Sequence, residues 1–288
     1  MSTIIPQFQK QLRKRPLEAL ILIFAVAYII VDLVLLNKNP KFIINTNIIL
    51  NPVVAIITAL IALVLVGKMG PGNPKRTLWV GLAAGWSLWA VAELLYALPL
   101  FIGKEATYPS AADVFFILGY IPIIYTFLQR QRTVPVDLSR NKQISALVIF
   151  LLVIGFTGYF ILMPIIRVFN PDEAVISILN LVYPLLDLGL LLLVLRSFFA
   201  FGQGSYGLAQ MWVAIGFIVK TFSDLAYYYL IGIDRYYHYG LVHFNSVFLV
   251  DFTHTASYLL FLIGLTILWR VPLIASPVSK NQAVVEQQ

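Results

Sequence analysis

Eight apolar runs divide this chain, and each is long enough to cross a hydrocarbon core of about 30 Å as a helix rising 1.5 Å per residue. They lie near residues 17–36, 47–67, 77–102, 111–129, 143–167, 174–200, 208–232 and 244–270. Turn-forming segments separate them, among them Asn37-Lys38-Asn39-Pro40, Gly70-Pro71-Gly72-Asn73-Pro74 and Gly202-Gln203-Gly204-Ser205. With 60% of its 288 residues hydrophobic and 11% charged, the chain has more apolar surface than one soluble core can hide. The sequence therefore predicts an all-α, polytopic membrane helix bundle of about eight spans. A basic N-terminus would cover 1–16, the transmembrane domain 17–270 and a polar tail 271–288. The first run is too long for a signal peptide and no small-residue cleavage site follows it, so it reads as a retained helix.

The basic residues orient the bundle. With the N-terminus inside, the inner segments carry fourteen Lys and Arg residues and the outer ones five, namely Lys38, Lys41, Lys104, Arg167 and Arg235. The positive-inside rule then places both termini in the cytoplasm. A net charge of +7 spread over short loops is a topology signal, so no nucleic-acid partner is expected. Trp79, Trp212 and Trp269 fall at expected inner interfaces, and Tyr108, Tyr229, Tyr236, Tyr237 and Tyr239 near the outer one, where amphipathic rings anchor a bundle. Membrane lipids are the first expected partners.

A second feature is the set of ionisable residues inside the apolar runs: Asp32, Glu93, Asp113, Asp187, Asp224, Asp251 and the cation Lys220. Each costs about 2.5–3.5 kcal/mol on the insertion scale, and such groups face a bundle interior, pair, and mark function. All lie outside the inner third of the expected bilayer. Helical spacing gives each a polar or aromatic companion on its own face: Trp86, Trp89 and Tyr96 with Glu93, Asn180 and Tyr183 with Asp187, and His254 and Tyr258 with Asp251. Lys220 and Asp224 stand one turn apart and can pair, with Asp187 as a second counterion. Asp113 also reads as a capping residue at a helix start. The expected pocket is lined by Trp89, Glu93, Asp113, Tyr183, Asp187, Lys220, Asp224, Asp251 and His254, and it opens outward to a small-molecule ligand.

Other readings of these residues stay open. A proton- or cation-coupled transporter would use the carboxylates with helices broken at Pro52, Pro122, Pro164 or Pro184. An intramembrane metal-dependent enzyme would use His254 with Asp251 and Glu93, or His238 and His243, although no HExxH occurs. A retinal Schiff base on Lys220 fits the lysine and its carboxylates but not eight spans. Polar pairing that only fixes helix packing is the plainest alternative. The sequence names no cofactor and no metal, and zero cysteines remove thiolate chemistry.

Several correspondences fit a 4+4 parallel repeat. Glu93-Leu94-Leu95-Tyr96 matches Asp224-Leu225-Ala226-Tyr227, Asn51-Pro52 matches Tyr183-Pro184, Asp113 matches Asp251, and Arg130 matches Arg270. Short apolar matches also arise by chance.

The segment Tyr108-Pro109-Ser110-Ala111-Ala112-Asp113-Val114-Phe115-Phe116-Ile117-Leu118-Gly119-Tyr120, preceded by Trp86, Trp89 and Glu93, resembles the N-terminal multi-span membrane domain of bacterial signalling proteins that carry GGDEF or EAL output domains. Tyr183-Pro184-Leu185-Leu186-Asp187 and Phe222-Ser223-Asp224-Leu225-Ala226-Tyr227 are similar to later features of that family. The resemblance spans runs three to eight. It implies a sensory input domain in a bacterial inner membrane. No GGDEF, EAL or kinase segment follows the eighth run, so a separate cytoplasmic or membrane signalling partner is expected.

The topology has a direct check on this cysteine-free background. A cysteine at Ser110 should react with an impermeant thiol reagent on intact cells, and one at Ser205 should resist it. The opposite pattern reverses the orientation.

Overall fold

In the computed structural model, residues 16–36, 40–71, 73, 75–102, 104, 107–133, 139–200, 205–233 and 248–271 are described. The basic N-terminus, most of the tail, Arg235, the tyrosines 236, 237 and 239, His238 and His243 lie outside them, as do the side chains of Asp32 and Lys41.

Among the described residues eight long helices run in sequence: α1 Pro16–Leu36, α2 Pro40–Lys68, α3 Arg76–Phe101, α4 Ala111–Thr133, α5 Arg140–Thr157, α6 Ala174–Phe199, α7 Ser205–Gly232 and α8 Thr253–Trp269. Helix α5 continues through a π turn at Gly158–Leu162 into Met163–Arg167, and a π turn at Phe248–Phe252 leads into α8. No strand occurs among the described residues. Among the described residues seven helices, α2 to α8 with the π turns of α5 and α8 included, are long and apolar enough to cross a membrane. The chain is a multi-pass membrane bundle. Helix α1 is 21 residues long, and its apolar stretch Pro16–Tyr28 is shorter than the other seven.

Two expectations about local structure need correction. Helices α2, α4 and α6 run through Pro52, Pro122 and Pro184 without ending. A proline removes one backbone hydrogen bond, and packing on either side of it maintains the helix. Only Pro164 borders an irregularity, the π turn of α5. Trp79 is not a belt residue: it is 1% exposed, and its indole N–H donates to Tyr206 at 3.2 Å inside the bundle. Trp269 does face outward, with the Lys68 ammonium 3.2 Å above its ring.

Helix α3 packs most extensively on α4, and α7 on α8. Glycines allow both approaches. A Cβ on Gly85 would stand 2.3 Å from Ile123 and 2.9 Å from the Gly119 carbonyl; one on Gly216 would stand 2.5 Å from Phe261 and 3.1 Å from the Ser257 carbonyl. The two crossings share one register. Gly85 and Gly216 are 131 residues apart, as are Glu93 and Asp224, and Tyr96 and Tyr227. Gly119 and Ser257 are 138 apart, as are Ile123 and Phe261, Asp113 and Asp251, and Tyr120 and Tyr258. The wider contacts follow the same exchange: α2 touches α3 and α8, while α6 touches α7 and α4. The arginine equivalent to Arg270 in this register is Arg132, not Arg130.

The halves meet in an aromatic node. Trp86 stacks on Phe217 at 6.1 Å and 10°, two residues that are themselves equivalent by the 131-residue spacing. Phe261 lies 4.7 Å from Phe217 and 5.0 Å from Trp86. Helix α5 stands aside, with 11% of its span buried against 61% for α8.

Side chains at the close crossings have nowhere to go. Gly85→Val and Gly216→Val should each destabilise the bundle by about 1–3 kcal/mol, the cost of overpacking. Gly155→Ala, where a Cβ meets nothing within 4 Å, should leave the melting temperature unchanged. Equal tolerance at all three sites would refute the crossings.

Candidate functional site

One end of the bundle gathers the C-terminal parts of α3 and α7 with the N-terminal parts of α2, α4, α6 and α8. The polar residues that the apolar runs carry converge there. Its centre joins three helices. Lys220 and Asp224 pair within α7. Asp224 Oδ1 lies 3.8 Å from His254 Nδ1 on α8, and His254 Nε2 lies 2.6 Å from Glu93 Oε1 on α3. Tyr258 OH also donates to Glu93 Oε1 at 3.2 Å. With Glu93 ionised, the short contact requires the proton on Nε2 of His254. Trp89 covers this cluster, with the Lys220 ammonium 5.5 Å from the centre of its ring. Its indole N–H donates to the Phe116 carbonyl at 3.0 Å, which pins the ring against α4. No ion pair between Lys220 and Asp187 forms, because the carboxylate one turn along α7 is the nearer partner.

The α4–α6 side holds two more carboxyl groups. Asp113 takes both roles the sequence allows. Its Oδ2 accepts from the Ser110 amide at 2.7 Å, at the start of α4, where the helix dipole favours an anion. Its Oδ1 accepts from Tyr183 OH at 2.8 Å. Asp187 Oδ1 accepts from Tyr120 OH at 2.6 Å. Asp187 is 1% exposed, and its Oδ2 has no hydrogen-bond partner. In the α3–α4 connection, burial and the neighbouring Asp113 carboxylate push the Tyr108 phenol up, so it stays a neutral donor, and it gives a 2.8 Å hydrogen bond to Asn180.

Asp251 lies on the π turn before α8 and accepts from Asn47 Nδ2 at 3.2 Å. Tyr28 on α1 donates to Asn47 in turn. Thr255 donates to Asn51 at 2.5 Å, tying α8 to α2 a turn deeper.

These groups surround a cavity of about 380 Å³, within the range of small-molecule pockets. All nine residues singled out from the sequence line it: Trp89, Glu93, Asp113, Tyr183, Asp187, Lys220, Asp224, Asp251 and His254. Sequence reasoning missed Asn47, Asn51 and Tyr120 in the wall; it named Tyr258 as a companion of Asp251, whereas Tyr258 donates to Glu93. A signal for the two tyrosines exists, since each follows a helix-start aspartate by seven residues, or two helical turns. At the opposite end it missed Glu18, which is 3% exposed and 3.0 Å from Arg270. Arg270 is therefore half of an ion pair as well as a topology charge.

The metal site expected on His254, Asp251 and Glu93 does not form, and the one expected on His238 and His243 lies outside the described residues. Glu93 and His254 are adjacent, but Asp251 turns to Asn47, and among the described residues no three His, Asp or Glu side chains are grouped to hold a metal ion.

Comparison with protein families, curated proteins and solved structures finds no match to this chain. The resemblance to signalling input domains rests on its motifs alone.

The buried pair sets a stability test. Removing one partner of such a pair costs about 3–5 kcal/mol, because the other charge is stranded. Lys220→Met should lower the melting temperature strongly, and adding Asp224→Asn should recover part of the loss. A single variant that melts like wild type would contradict the burial of Lys220.

Proposed function

We propose that this protein is a membrane ligand-binding domain of the sensory kind, which takes a small molecule into the cavity at the polar end of its bundle. The observation that carries the reading is the cavity itself. Five helices contribute ionisable side chains to one space of about 380 Å³, far more than helix packing alone requires. A folding role would be served by isolated ion pairs, as at Glu18 and Arg270. Here the charges surround open space, and the walls are rings: Trp89, Tyr96, Tyr108, Tyr120, Tyr183, Tyr227 and Tyr228. In this proposal the membrane is a bacterial plasma membrane, both termini are cytoplasmic and the cavity faces outward. A separate protein partner then relays occupancy, as the motif resemblance implies.

A coupled transporter is the second reading. The two-fold register, with the cavity where the halves meet, favours it. The continuity of α2, α4 and α6 through their prolines weighs against it, because none of these three helices breaks at the site.

Purified protein in nanodiscs, screened against a library of small polar metabolites by thermal shift, tests the reading. Binders should raise the melting temperature of wild type. Trp89→Ala should bind them at least about tenfold more weakly, a loss of about 1.4 kcal/mol. Proteoliposomes should show no uptake of the same compounds. Uptake that depends on Glu93 would establish the transporter instead, and no binder at all would refute both.

A further inference from the structure

The charges around the cavity do not balance. Glu93, Asp113, Asp187, Asp224 and Asp251 contribute five carboxyl groups, against Lys220 and His254. Even with His254 counted as a cation, the described wall has an excess of three acids. Four of the seven groups satisfy one another, as Lys220 with Asp224 and Glu93 with His254. Asp113 is held by the start of α4 and by Tyr183, and Asp251 has Asn47. Asp187 differs. It is buried at 1% exposure and lines the cavity, and one of its carboxyl oxygens has no partner. A buried carboxyl oxygen without a donor carries a substantial desolvation cost, so a donor from outside the protein is the missing element.

The walls specify what kind of donor. Tyr183 and Tyr228 stack at 6.2 Å, Tyr227 meets Tyr228 at 5.3 Å, and Trp89 meets Tyr120 edge-on at 5.2 Å. Ring faces attract cations, and Trp89 already lies 5.5 Å from the Lys220 ammonium. A bare metal ion is a poor occupant, because the described acids are too dispersed to coordinate one.

We infer that the cavity takes an organic ammonium compound, whose cationic nitrogen pairs with the Asp187 carboxylate and whose apolar body lies against the tyrosine and tryptophan walls. The inference rests on the ligand-binding reading and narrows it to one ligand class. Lys220 does not oppose it, since its charge is matched one helical turn away by Asp224.

The test compares charged probes with uncharged ones of the same shape. 3,3-Dimethylbutan-1-amine and 2-phenylethylamine, both primary ammonium ions with N–H donors, are titrated into the full-length protein in nanodiscs, alongside 3,3-dimethylbutan-1-ol, 2-phenylethanol and the anion 3-phenylpropanoate. Binding is read by calorimetry and thermal shift. At least one ammonium probe should bind about tenfold or more tightly than its uncharged isostere, and Asp187→Asn should erase that preference. Asp187→Glu should retain a preference for the cation, and Glu173→Gln, an exposed acid away from the cavity, should bind like wild type. The glutamate variant keeps the test decisive if the asparagine variant does not fold: loss of the cation preference in a folded Asp187→Glu protein overturns the assignment to Asp187. Tighter binding of the uncharged or anionic probes overturns the ammonium class and leaves the ligand-binding reading standing. If none of the five binds, the ammonium proposal is overturned, and the metabolite screen alone decides the broader reading.

Discussion

An ionisable group inside an apolar bundle must find a partner within the bundle, and that constraint organises this protein. The junction of Glu93, His254, Asp224 and Lys220 links α3, α7 and α8 where lipid would make each group costly. None of the three helices satisfies the set alone. Lys220 and Asp224 pair within α7, but Glu93 on α3 depends on His254 on α8. The polar contact therefore specifies which helix faces meet, as packing of apolar against apolar in lipid does only weakly.

The steric counterpart lies one or two turns deeper. Gly85 and Gly216 let α4 and α8 approach α3 and α7 closely, and the space between the two pairs is filled by Trp86, Phe217 and Phe261. The equivalent register of the two crossings puts Glu93 and Asp224 at matching heights, and Asp113 and Asp251 at matching helix starts. The halves differ in what they attach to that frame. One has Trp89 where the other has Lys220, and Phe116 where the other has His254, so the α7–α8 half supplies the basic groups and the α3–α4 half the aromatic cover.

Much of this was legible in the sequence. Long apolar runs mark the spans because length and hydropathy suffice, and acids within them mark the interior because lipid excludes charge. The nine wall residues follow from that rule and from helical periodicity. What periodicity cannot supply is which helices are neighbours. Asn47 and Tyr120 are ordinary polar residues on apolar helices until Asp251 and Asp187 are known to face them. Glu18 sits at the start of the first apolar run with no partner nearby in sequence, and only the return of α8 beside α1 buries it against Arg270. The prolines do not end α2, α4 or α6, because a bundle interior supports each helix on both sides of the lost hydrogen bond.

The account turns on the contact between Glu93 and His254 across α3 and α8. A double-mutant cycle with Glu93→Gln and His254→Gln, measured as unfolding free energy in a folded-membrane assay, isolates it. The expected coupling exceeds about 1 kcal/mol, above the roughly 0.6 kcal/mol average of polar contacts between membrane helices. A coupling near zero, with both single variants as stable as wild type, would mean that these helices do not meet through this pair.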